Sequence, residues 1–491
     1  MGWVLYLVFV TGTAAYYRDE ITLWMKPEAV ATGAPDDFVA RGIEALQARA
    51  PEAKRWGVQF PTDRSPAFHV QWQPRETGRS SEQLHWDERT QSFVPVRGTE
   101  GGNFLYRFHY SLEMEEAGEW IVGFATLALC IAILSGVVTH RRFFKDFFTF
   151  RPGKSLSRSW LDLHNVTGVL ALPFHIMISY TGLVTLMFLY VPWAQFALYG
   201  ADGTRFSQEA YGNAKAPVAL QRPAPLADIA PMIRAVDARW GEGRIERLIV
   251  YNPGDAGAEV EFRPNYSGQV SLNHAKIVFS GTDGTLVRDV RGFGPGVKTR
   301  GGLVGMHIAR FAEPVLRALF FLCGLVGSVM IASGLILWIE KRRQKGARAD
   351  AGFRFVERLN IGTVMGAPIA IAVYFAANRL LPVGLASRAD WEVRAFILAL
   401  LLVLVFAFLR APAKAWRDAM GLASLACIAV PVLNAITTDR GIANSVARAD
   451  WLFVSFDAIM LAIGGACAMA CRYLHRRSQR PPASKPAARL R

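Results

Sequence analysis

Eight apolar blocks, at 3–25, 117–139, 161–190, 312–338, 359–377, 393–410, 419–437 and 451–471, constrain this chain more than any other feature. Each approaches the ~20 residues that an α-helix needs to cross about 30 Å of hydrocarbon. The expected fold is a polytopic α-helical membrane protein with about eight transmembrane helices. A hydrophobic content of 52% against 19% charged residues agrees, being too apolar for an ordinary soluble protein of 491 residues. The first block runs into Tyr16-Tyr17-Arg18-Asp19 without a small-residue cleavage site, so it is expected as a retained span rather than a leader.

The formal charge of +15 is explained by where the basic residues fall. Residues 140–160 carry Arg141, Arg142, Lys145, Arg151, Lys154 and Arg158 against Asp146. Residues 341–358 carry seven basic residues against Asp350 and Glu357, the 410–417 turn adds Arg410, Lys414 and Arg417, and seven more follow Cys471. In an eight-helix chain all four segments lie on one side. The positive-inside rule makes that side the cytoplasm, with both termini there, in a bacterial inner membrane. The charge therefore reports topology, and no nucleic-acid partner is expected. Five cysteines, Cys130, Cys323, Cys427, Cys467 and Cys471, all lie in or beside apolar blocks, so no disulfide framework is implied.

The expected order is helix 1 (1–26), a first outer module (27–115), helices 2 and 3 with a basic loop (116–192), a second outer module (193–305) and helix 4 (306–340). A basic linker (341–358), helices 5 to 8 (359–471) and a basic tail (472–491) follow. Both modules read as small α+β units. Each opens on a helical stretch, Asp37 to Ala50 and Leu226 to Trp240. Alternating strand-like runs follow at 56–60, 68–72, 247–251 and 259–262, with turns near Asp87-Glu88-Arg89 and Gly281-Thr282-Asp283-Gly284. The pattern repeats into the membrane: Gly136 follows His109 by 27 residues and Gly334 follows His307 by 27, each in a Ser-Gly pair. Thr11-Gly12 matches Thr181-Gly182. Duplication of this kind places a working site between halves. It also puts the counterpart of His164 upstream of Met1, so a missing histidine is expected there.

Histidines in or beside spans are costly and mark function. His109, His140, His164, His175 and His307 fall at such positions. His164 and His175 are 11 residues apart, which on one continuous helix gives one face and about 16 Å of depth. Two imidazoles so placed suit two stacked b-type haems better than one metal ion, whose helical ligands sit about one turn apart. An inner haem would take His164 with His140 or the missing histidine, and an outer one His175 with His307 or His109. His69, His85 and His274 read as surface or packing residues, and His475 as a solvated partner of the basic tail. No phosphate loop, dinucleotide fingerprint or Cys-x-x-Cys is present, so electrons would come from a quinol or a cytoplasmic reductase. Among Asn360, Asn378, Asn434 and Asp457 in the last four blocks, Asp457 is the candidate for a transport relay.

The stretch Gly136-Val-Val-Thr-His140-Arg-Arg-Phe-Phe-Lys-Asp-Phe-Phe-Thr-Phe-Arg-Pro152 resembles the PepSY-associated transmembrane family, as do Asp162-Leu-His164-Asn165, Leu172-Pro-Phe-His175 and the opening Thr11 to Ile21. The resemblance covers roughly residues 1–345. It implies PepSY-like folds for the two modules, haem ligation at His164, His175 and matching neighbours, and iron-linked activity, in some members ferric-siderophore reduction. The four helices after 345 depart from the shortest members. The reading is a transmembrane di-haem oxidoreductase delivering electrons to a periplasmic acceptor, Fe(III)-siderophore foremost. The alternatives are a non-enzymatic PepSY-type binding or regulatory protein, and an ion or proton transporter.

Overall fold

The computed structural model describes residues 1–29, 37–75, 82–88, 90–139, 156–200, 203–213, 216–272, 275–346 and 350–479. His140 and His274 lie outside the described residues. Two compact units emerge, one formed essentially by residues 3–150 and 165–330, the other by 151–164 and 331–491.

The helices that matter here are α1 (Gly2–Ala15), α2 (Gly102–Ser111), α3 (Glu115–Thr139), α4 (Leu156–Leu170), α5 (Leu172–Thr185), α6 (Pro295–Ile308) and α7 (Pro314–Gln344). Then come α8 (Ala351–Leu380), α9 (Arg388–Leu409), α10 (Pro412–Thr437) and α11 (Trp451–Ser478). Six of the described helices, α3 and α7 to α11, are long and apolar enough to cross a membrane, and the bent pair α4–α5 makes a seventh. The chain is thus a multi-pass membrane protein. The expected count of eight is not reached by length, because α1 has 14 residues, or about 21 Å of rise. The chain turns at Tyr16-Tyr17 and restarts as a short helix, Arg18–Trp24.

Block three is broken too. Between α4 and α5 the axis bends by 70°. Pro173 sits in the first turn of α5, where it supplies no amide donor and its ring clashes with the preceding turn. His164 and His175 therefore lie on different helices. The expectation of one helical face and 16 Å of depth assumed a straight helix and does not hold.

The outer segments do not form two separate modules. Their strands make one eight-stranded sheet, ordered β4-β3-β2-β1-β5-β6-β7-β8. Strands β1 (Arg55–Gln59), β2 (His69–Gln73), β3 (Glu82–Asp87) and β4 (Ser92–Pro95) come from the first segment. β5 (Ile245–Tyr251), β6 (Glu259–Pro264), β7 (Lys276–Ser280) and β8 (Leu286–Val290) come from the second. The halves join where β1 and β5 pair antiparallel, Trp56 opposite Val250 and Val58 opposite Leu248. The order is palindromic about that seam, as a duplicated unit joined edge to edge requires. The join also removes two sheet edges that would otherwise offer unpaired backbone groups. Alternation puts Trp56, Val58, Val70, Trp72, Leu248, Val250, Val260 and Phe262 into one shared core under the helices Phe38–Arg49 and Ala230–Trp240. The other face carries Gln59, Gln71, Arg247 and Arg263.

In the second unit α8 packs against α9 and α10, and α10 against α11.

Candidate functional site

The site grows from the duplication. α2 and α6 are the matching helices that carry His109 and His307, and each ends in a left-handed residue, Leu112 and Ala309. The structure brings the two rings together, with centroids 6.0 Å apart and planes inclined by 31°. Spacing alone left each of them as a possible partner for His175 and did not single out this pair.

The protonation of both rings follows from their partners. His109 Nδ1 lies 2.7 Å from the Val8 carbonyl oxygen, which only accepts, so the ring carries its proton on Nδ1. His307 Nδ1 lies 3.0 Å from Thr181 Oγ1. The Thr181 hydroxyl has one proton and donates it to the Met177 carbonyl at 2.7 Å, so it accepts from His307 Nδ1. Each ring is left with its Nε2 lone pair for a ligand, oriented from behind as metal-binding imidazoles usually are. Both rings line a cavity of about 60 Å³ walled by Phe9, Tyr16, Tyr106 and Phe174.

Glycine makes room for each ring. A Cβ on Gly12 would lie 2.5 Å from His109, and one on Gly182 would lie 3.1 Å from His307. These are the Thr-Gly pairs of the repeat, so each module histidine lies over the glycine of its own copy.

His175, on α5, is buried at 1% exposure; the Gly168 backbone lies near its ring, but neither ring nitrogen makes a hydrogen bond of good geometry. An unpaired buried polar group costs about 1–3 kcal/mol, so two on one imidazole in the membrane region call for a ligand. Its ring faces Gly327 on α7, where a Cβ would come within 3.1 Å of Nε2. Phe9, which lines the cavity, packs edge-on against His175 at 6.3 Å. In the second unit a Cβ on Gly334 would lie 3.0 Å from His164 Cε1.

These residues fit haem better than a bare metal. Among the described residues no three His, Cys, Asp or Glu side chains gather as a metal site, whereas haem asks only for axial imidazoles because the porphyrin supplies four nitrogens. His109 and His307, with ring centroids 6.0 Å apart, are the two residues that would hold such a group between them. The cavity itself has room for only a few waters, so a macrocycle here requires the aromatic side chains lining it to be displaced.

A profile of the PepSY-associated transmembrane region matches residues 1–341. The chain belongs to the PepSY-associated transmembrane family. The match covers α1 to α6 and nearly all of α7, and hence every histidine of the site; α8 to α11 lie beyond it. The chain is also similar to an uncharacterized protein of Pseudomonas aeruginosa, 27% identical over 350 residues, which covers 68% of this chain and 86% of that protein.

Sequence reasoning missed part of the polar chemistry in the last four helices. Asn378, Asn434 and Asp457 were singled out, and all three are buried. Arg379, Arg388 and Glu392 are buried with them and were passed over. Asn378 Nδ2 donates to Glu392 at 2.7 Å, Arg379 Nε to Asn434 Oδ1 at 2.9 Å, and Asn434 Nδ2 to Asp457 at 2.9 Å. Arg388 pairs with Glu392 and Arg379 with Asn378. The i, i+4 spacing of Arg388 and Glu392 at the start of an apolar block was the signal available.

Proposed function

We propose that this chain is a b-type haem electron carrier of the bacterial inner membrane that delivers electrons to an acceptor on the outer side. The reading makes the His109–His307 pair one axial ligand set and His175 a ligand of a second haem. One observation carries it: two neutral imidazoles from duplicated helices, each held through Nδ1 and backed by glycine, line one cavity with their ring centroids 6.0 Å apart. Bound haem supplies one-electron exchange between Fe(III) and Fe(II). The protein's part is to fix both imidazole tautomers, exclude water with Phe9, Tyr16 and Phe174, and set Phe9 between the cavity and His175. With the basic segments on the cytoplasmic side, the sheet is periplasmic and electrons enter from a quinol or a cytoplasmic reductase. The acceptor is Fe(III) in a siderophore, since Fe(II) is a poorer match for hard oxygen ligands and leaves the chelate more readily.

Purified protein should give a dithionite-reduced minus oxidised spectrum of b-type haem. A preparation grown with haem precursor that shows no such spectrum overturns the proposal.

A further inference from the structure

We propose that the seam between β1 and β5 is a binding pocket for a small polycarboxylate. This inference stands on the sheet alone and does not depend on the haem reading.

The polar face at the seam holds a cavity of about 50 Å³ lined by Arg55 and Gly57 of β1, Gln71 and Gln73 of β2, Arg247 of β5 and Arg263 of β6. That space suits about four waters or one carboxylate group. Its charges do not balance. Arg263 pairs with Glu261 at 2.6 Å, and the nearby Arg310 pairs with Glu246 at 2.8 Å. Among the described residues, Arg55 and Arg247 pair with no carboxylate. Arg247 is half-buried and has one hydrogen bond, from Nε to Gln59 Oε1 at 2.9 Å, with Gln59 anchored in turn on the Glu246 carbonyl. That bond fixes the plane of the guanidinium and leaves its outer nitrogens for a ligand.

Burial, and then the Arg263, Arg310 and Arg55 charges acting against Glu246, pull Arg247 below its ordinary pKa. A cation held among cations is a cost that a bound anion removes. A guanidinium fork takes a carboxylate side-on through two parallel bonds. Two uncompensated forks, Arg247 inside and the exposed Arg55 at the rim, call for at least two carboxylates on one small molecule. Gly57 sits in the middle of a strand, where glycine is poor unless something approaches closely; a Cβ there would press on Gln71 at 3.0 Å.

The test is isothermal titration of the full-length, detergent-purified protein with citrate at low salt, with inorganic phosphate and glycerol as comparison ligands. Citrate should bind at least tenfold more tightly than phosphate, glycerol should not bind, and 300 mM NaCl should weaken citrate severalfold. R247Q and R55Q should each lose tenfold or more in citrate affinity. R247Q should match or exceed the wild-type melting temperature without ligand, because a repelled charge is gone. A purely structural Arg247 would instead lower it. If R247Q fails to fold, R55Q carries the test, since the exposed Arg55 side chain makes no hydrogen bond or ion pair among the described residues. Unchanged citrate affinity in R55Q, equal affinity for phosphate, or no citrate binding overturns the proposal.

Discussion

The helices of the PepSY-associated region and the four that follow it bury polar groups in opposite ways. In the former, His175 is sealed in with neither nitrogen paired, and His109 and His307 each keep a free Nε2. In the latter, Arg379, Arg388, Glu392 and Asp457 are buried with equal numbers of opposite charges, linked through Asn378 and Asn434. A charge-balanced network reads as a fastener even where one buried atom, Arg388 Nε, makes no hydrogen bond, whereas an open set is incomplete until something binds. Buried polarity in a membrane protein thus signals function only when its bonding is unfinished.

The sharpest way to break this contrast is to open the closed network. Glu392→Ala would strand Arg388 without its counter-charge and should cost about 3–5 kcal/mol, seen as a large loss of thermal stability in detergent. Asp457→Asn keeps an acceptor for Asn434 but removes one of the two buried counter-charges, and should cost less than Glu392→Ala because Arg379 reaches Asp457 only through Asn434; loss of function in that variant at unchanged stability would revive the relay. A smaller effect is expected at the glycines. Gly12→Val should distort the site through His109, at about 1–3 kcal/mol for overpacking. Gly136→Val, at a position with nothing within 4 Å, should be silent; equal effects would show that the glycines are not cradles.

A separate effect, on acid stability, is expected in the sheet. His69 and His85 stack at 4.8 Å on neighbouring strands, so of the surface and packing roles open to them from sequence they take packing. Burial, then Lys26 and Arg247, lowers His69 to about 3, and burial, then His69 and Lys26, lowers His85. The unfolded chain, with imidazoles near 6.5, binds more protons between about pH 3 and 6.5. Stability is therefore complete above about 6.5 and falls as the pH drops, by at most about 1.4 kcal/mol per pH unit for each imidazole. His69→Gln with His85→Gln should flatten the melting profile between pH 7.5 and 5.

Much of this was legible because periodicity and duplication are local signals. The strand runs at 56–60 and 247–251 lie within two residues of β1 and β5, and the Ser-Gly and Thr-Gly repeats led to the glycines that face His109, His307 and His164. What was not legible is long-range or depends on one residue's backbone effect. Nothing in either segment announces that β1 pairs with β5, because edge strands look alike whether free or joined. The helix argument for His164 and His175 counted residues correctly but ignored Pro173. Pairing of His109 with His307 depends on where α2 and α6 pack, which spacing does not encode.

The most direct test of the central claim is the haem content of His109→Ala, His307→Ala and the double variant, by pyridine haemochrome and reduced spectra. If the two histidines share one iron, both single variants lose the same spectral component to the same extent and the double variant loses no more, while His175→Ala removes a different one. Separate components lost in the two single variants, or haem retained in the double variant, would contradict the pairing.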